Sequence, residues 1–139
     1  MSSYQIIDEP KPSVYQNLAV NPVVILFATL LIPIFIDLPL YGRFWMPLVW
    51  IVLNGMFMGS PTKIKELVIA VIGVTIMVML FFLTIHVAET YTEIGGRVFP
   101  YFRIIVQGVL FFTLYLIVFY QMTPYSIIEY IKEQNKDRV

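Results

Sequence analysis

Residues 67–88, LVIAVIGVTIMVMLFFLTIHVA, contain no aspartate, glutamate, lysine or arginine. A helix that crosses a bilayer needs about 20 mostly apolar residues, so this stretch reads as one crossing. Three further charge-free runs lie around it: Pro12 to Ile36, Phe44 to Thr62, and Ile104 to Ile128. Four such runs in 139 residues leave no room for a separate soluble domain. The chain is 59% apolar and 13% charged, with a mean hydropathy of +0.81, far from the charge-covered surface of a soluble domain.

Composition excludes several kinds of chemistry. Net charge is zero, and no basic cluster is dense enough to track nucleic-acid phosphates. The absence of cysteine removes disulfides, thiolate metal sites and a cysteine nucleophile. Met1 to Asn21 is polar, carries Asp8 and Glu9, and has no basic segment ahead of a short apolar core, so a cleavable leader is not expected.

Helix starts are marked by a capping residue before proline at Asn21-Pro22, Ser60-Pro61 and Thr123-Pro124, with Phe99-Pro100 a weaker version. These marks divide the chain into a tail over 1–21, membrane helices over 22–38, 43–60, 61–91 and 100–122, and a tail over 123–139. The expected fold is all-α: a four-transmembrane-helix bundle with a short cytoplasmic amphipathic C-terminal helix. Its first hairpin contains Pro33, Pro39 and Pro47 and must cross a ~30 Å core twice with few residues to spare. That hairpin either spans twice or stops short as a re-entrant loop.

Lysine and arginine set the orientation. Lys11, Lys63, Lys65, Lys132, Lys136 and Arg138 fall on one side, against Arg43, Arg97 and Arg103 on the other. The positive-inside rule puts both termini in the cytoplasm, and the expected setting is a bacterial cytoplasmic membrane.

Asp37, Arg43, His86, Glu89, Glu93, Arg97 and Arg103 fall at the opposite ends of these helices. Acids and arginines at one level suit an ion-pair rim that fixes helix packing, or a proton-coupling site, since His86 and Glu89 stand three apart on one helix face. This rim is the one place in the sequence where function is expected to reside. A polar row at Thr75, His86, Glu89 and Glu93, filled in by Met79 and Phe82, is expected to face other helices. Asn54, Gly55 and Gly59, with Gly73 and Gly108, are candidate helix-packing positions, because small residues let backbones approach.

No catalytic template is present. The serines lie in tails or at the cytoplasmic face while the only histidine lies opposite, and Gly95-Gly96 forms no phosphate loop. With one histidine and no cysteine, no metal site and no cofactor is expected. The expected role is that of a non-enzymatic subunit or accessory factor of a larger membrane complex. Its partners would be the lipid bilayer and another integral membrane protein, or itself as a homo-oligomer. A small homo-oligomeric transporter or proton-conducting channel is the alternative, and a membrane-embedded inhibitor or immunity protein the third reading.

Overall fold

The computed structural model describes residues 15–35 and 40–136, with side chains at 15–31, 45–91 and 97–134. Among the described residues every regular element is helical. A single 3-10 turn at Gln16–Leu18 precedes α1 (Pro22–Phe35), α2 (Leu40–Phe57), α3 (Lys63–Thr90) and α4 (Thr92–Lys136).

The helix ends follow local chemistry. Val23 N–H donates to Asn21 Oδ1 (3.0 Å), so Asn21 caps α1 while Pro22 occupies the first position, where its missing N–H costs nothing. The α2 helix ends in a Schellman motif: Ser60 N–H donates to the Gly55 carbonyl (3.1 Å) and Gly59 N–H to that of Met56 (3.1 Å). Gly59 has φ 64°, a left-handed conformation that a side chain disfavours. Its glycine therefore serves the turn rather than a helix-packing face.

The largest departure from the sequence reading concerns α4. Instead of a loop over 92–99 and a break at 123, one helix of 45 residues runs through Pro100 and Pro124, about 67 Å at the usual rise. Proline's fixed φ is itself helical, so an interior proline removes one hydrogen bond without forcing termination. Around Pro124 tertiary contact favours continuation: Pro124 and Ile128 are buried, and Lys132 Nζ donates to the Gln16 carbonyl (3.4 Å). The extension thus continues α4, tied to the segment before α1 by that hydrogen bond, rather than forming a separate tail helix.

Length separates the helices into two classes. Both α3 and α4 are long and apolar enough to cross a membrane. At 14 and 18 residues, α1 and α2 extend only about 21 and 27 Å, short of a ~30 Å hydrocarbon layer.

The organising element is α4: like α2 it touches the other three helices, and its contact with α3 is the most extensive, whereas among the described residues α1 and α3 do not meet. Its buried residues Leu110, Leu114, Ile117 and Val118 recur at helical spacing and meet Ile25 and Leu26 of α1, Leu48 and Ile51 of α2, and Ala70 and Met77 of α3. On α3 the buried row is Glu66, Ala70, Gly73, Met77 and Thr84. The expected inward row is reversed, because Thr75, Met79, Phe82, His86 and Glu89 are exposed. Small side chains explain the choice of face, since Ala70 and Gly73 admit α4 closely where Met79 and Phe82 would hold it away.

At Gly73 the helices α3 and α4 approach closely. A Cβ built there would collide with Oγ1 and Cγ2 of Thr113, whose hydroxyl donates to the Val109 carbonyl (2.8 Å). Gly73→Ala is expected to destabilise the fold by about 2 kcal/mol through overpacking. Adding Thr113→Ala is expected to restore most of that loss, and thermal unfolding of the single and double variants checks both.

Candidate functional site: a buried carboxylate junction

Four polar side chains meet at the junction between the α2–α3 turn and the C-terminal half of α4. Glu66 is 1% exposed, Gln121 0%, Asn54 2% and Ser60 1%. Each arrives from a different stretch: Asn54 from α2, Ser60 from the turn, Glu66 from the first turns of α3, Gln121 from α4. Burial of this much polarity requires partners, because an unsatisfied buried group costs roughly 1–3 kcal/mol.

The pairing accounts for every donor on the two amides. Gln121 Nε2 donates to Glu66 Oε2 (2.8 Å) and to the Ile51 carbonyl (2.8 Å), while its Oε1 accepts from Asn54 Nδ2 (3.2 Å). Asn54 Nδ2 also donates to the Val20 carbonyl (2.9 Å), and Val20 N–H donates back to Asn54 Oδ1 (2.8 Å). One asparagine therefore grips both polar groups of a residue in the strand-like approach to α1. Glu66 Oε1 accepts from Ser60 Oγ (2.6 Å) and Thr62 Oγ1 (2.7 Å), and the two hydroxyl oxygens lie 2.8 Å apart. Thr62 N–H donates to Ser60 Oγ (3.2 Å), which holds the turn in place.

Gly55 provides the space. A Cβ at this position would overlap Glu66 Oε2 and stand 2.7 Å from Gln121 Nε2. Only a bare backbone lets the carboxylate and the amide reach the α2 surface together. Among the described residues no lysine, arginine or histidine forms an ion pair with Glu66. Neutral donors hold its carboxyl group on all sides, and its place in the first turns of α3 lets the positive end of the helix dipole add to them.

The sequence-designated rim is arranged differently. His86, Glu89, Arg97 and Arg103 are exposed and make no ion pair among the described residues. Asp37 lies outside the described residues, as do the side chains of Arg43 and Glu93. Also among the described residues, no group of three or more histidine, cysteine, aspartate or glutamate side chains could hold a metal ion. The buried polar cluster thus lies at the end of the bundle opposite to the rim.

Of the small residues, Gly55 and Gly73 pack against other helices, whereas a Cβ on Gly108 would meet nothing within 4 Å. Gly108 opens on a groove of about 480 Å³ between α3 and α4, walled by Ile69, Ile72, Ile76, Ile105 and Phe112.

The sequence reading passed over Glu66, which stands beside Lys63 and Lys65 near the start of the expected helix over 61–91, and Gln121, near the end of the one over 100–122. The available signal was spacing. Glu66 stands four residues before Ala70 and seven before Gly73, on the face where small residues announce a close neighbour. Ser60 and Thr62 shortly upstream supply the hydroxyls expected around the start of a helix. No protein-family model, no curated protein and no solved structure matches this chain, so its residues and their geometry carry the functional argument.

Proposed function

We propose that this chain is a membrane-embedded helical bundle that serves as a non-enzymatic subunit or accessory component of a larger membrane assembly. The carrying observation is the direction of its surfaces. Leu67, Val71, Ile72, Ile76, Met79, Phe81 and Phe82 of α3 and Ile104, Ile105, Phe112, Tyr115 and Phe119 of α4 face outward, while its most polar cluster is closed within. Only 11% of the apolar window of α3 and 28% of that of α4 is buried, which is the reverse of a soluble core helix. Lipid or another membrane protein supplies the missing cover.

In this reading α3 and α4 cross the bilayer, and the short α1–α2 hairpin enters it alongside them. The positive-inside rule, applied to the exposed Lys63 and Lys65, supports a cytoplasmic start of α3, and in this reading the extension of α4 and both termini share that side. The extension follows from length, since about 67 Å of helix exceeds a bilayer of ~40–45 Å with its headgroups. Single cysteines at positions 3 and 138 of this cysteine-free chain are expected to react with an impermeant maleimide from the same face only.

A fully satisfied, closed polar cluster suits a fastener of helices, whereas a binding or catalytic site needs groups left open to a ligand. Gentle detergent extraction of the tagged chain from its own membrane, followed by mass spectrometry, is expected to recover a second integral membrane protein in fixed stoichiometry. Recovery of a homogeneous homo-oligomer with nothing else bound would remove the accessory reading.

A second reading, a small proton- or ion-conducting transporter, has one observation in its favour: the buried Glu66 without a cationic partner among the described residues. A buried ionisable group at the cytoplasmic end of the bundle is the kind of side chain that an ion pathway uses at its mouth. It requires pH-gradient-driven flux in liposomes that Glu66→Gln abolishes while the fold persists. Silent liposomes exclude it.

A further inference from the structure

We propose that the groove between α3 and α4 holds one acyl chain of an anionic phospholipid, with Lys65 at its cytoplasmic mouth pairing with the phosphate. This rests on the membrane reading given above. The groove floor is Gly108 together with Gly73, whose space Thr113 already fills, and its walls are isoleucine, valine, leucine and phenylalanine side chains. Nothing among the described residues covers Gly108, although glycine within a helix costs roughly 0.5–1 kcal/mol relative to alanine.

Charge identifies the occupant. Ile69, Ile72 and Ile76 form the α3 wall, and Lys65 continues that row one turn toward the cytoplasm. Lys65 is exposed and makes no ion pair among the described residues, because the neighbouring Glu66 carboxyl is turned inward on Ser60, Thr62 and Gln121. On α4 the row Ile105, Phe112 and Leu116 ends, two turns on, at the exposed Thr123. An apolar channel with an ammonium group and a hydroxyl at one mouth matches a fatty chain under a phosphate headgroup.

A partner helix fits less well. Close helix pairing needs small residues four apart, and Gly108 is flanked at that spacing by Ile104 and Phe112, both exposed. A lone glycine between bulky neighbours makes a slot for a flexible chain, not a seat for a backbone ridge.

The test reconstitutes the full chain in vesicles of equal phosphatidylcholine and phosphatidylglycerol, verifies flotation, and counts retained lipids by native mass spectrometry after mild extraction. One retained lipid is expected, enriched about fivefold in phosphatidylglycerol, the preference expected of one lysine near an anionic headgroup. Gly108→Leu and, from the opposite wall, Ile72→Trp are expected to abolish retention without loss of helicity. Lys65→Gln is expected to keep the lipid and erase the headgroup preference. Equal retention in both groove variants, no preference in the unmodified chain, or release of a second protein copy instead of lipid would overturn the proposal. A chain that does not float with the vesicles overturns the membrane reading itself, whereas one that floats but retains no lipid overturns the groove alone.

Discussion

Replacing Gly55 by alanine is expected to destabilise the protein by about 3 kcal/mol, a drop in melting temperature of roughly 10 °C. Added to α2, the methyl would overlap Glu66 Oε2 and crowd Gln121 Nε2. Backbone cannot retreat at that point, because Gly55 sits in the last turns of α2 and its carbonyl already accepts from Ser60 N–H (3.1 Å). The carboxyl must move instead, and in moving it loses donors from Gln121, Ser60 and Thr62 together. Gly108→Ala is the control, since its methyl meets nothing and should be neutral or stabilising by up to about 1 kcal/mol. Thermal unfolding of the two variants in the same detergent checks the contrast. Equal effects at both positions would show that helix propensity, not the junction, decides the outcome.

Glu66→Leu is expected to cost about 3 kcal/mol, and Glu66→Gln about 1 kcal/mol or less. Leucine fills the volume but strands one amide hydrogen of Gln121, and it leaves Ser60 and Thr62 without their shared acceptor. Glutamine can present its carbonyl oxygen to Gln121 and its amide to the two hydroxyl oxygens, so the pattern of pairing survives. Combining Glu66→Leu with Gln121→Leu should cost less than the two single losses added together, because each partner's absence removes the penalty of stranding the other. Equilibrium unfolding of the three variants measures that coupling. If Glu66→Gln proved as damaging as Glu66→Leu, hydrogen bonding alone could not account for the junction.

The two predictions depend on residues that the sequence presented in very different ways. Gly55 stood out beside Asn54 as a small residue in an apolar helix, and the structure puts it against α3 and α4. Gly59, at the same spacing, ends α2 through its left-handed backbone, a role that spacing alone does not separate from packing. Glu66 was hidden among Lys63 and Lys65, where a turn of charges ordinarily faces water. Its burial depends on Gln121, 55 residues away, and no local pattern joins them. The polar row at Thr75, His86 and Glu89 was misassigned for a related reason. Polarity along one stripe does not say which side a neighbour occupies, whereas the small side chains at Ala70 and Gly73 do.

By itself the sequence determined that the chain is helical and apolar over long stretches, because an uninterrupted run such as 67–88 has few other conformations in which to satisfy its backbone. It also determined where α1 begins, since Asn21-Pro22 acts through bonds to adjacent residues. Which face of α3 turns inward, whether α4 continues through Pro124, and that a glutamate is buried at the junction were decided only in the tertiary structure. Those outcomes depend on contacts between residues distant in the chain, and their free energies exceed the local preferences that oppose them. A proline costs one hydrogen bond where Ile128 and Lys132 gain partners, and a carboxylate leaves water where three neutral donors converge on it.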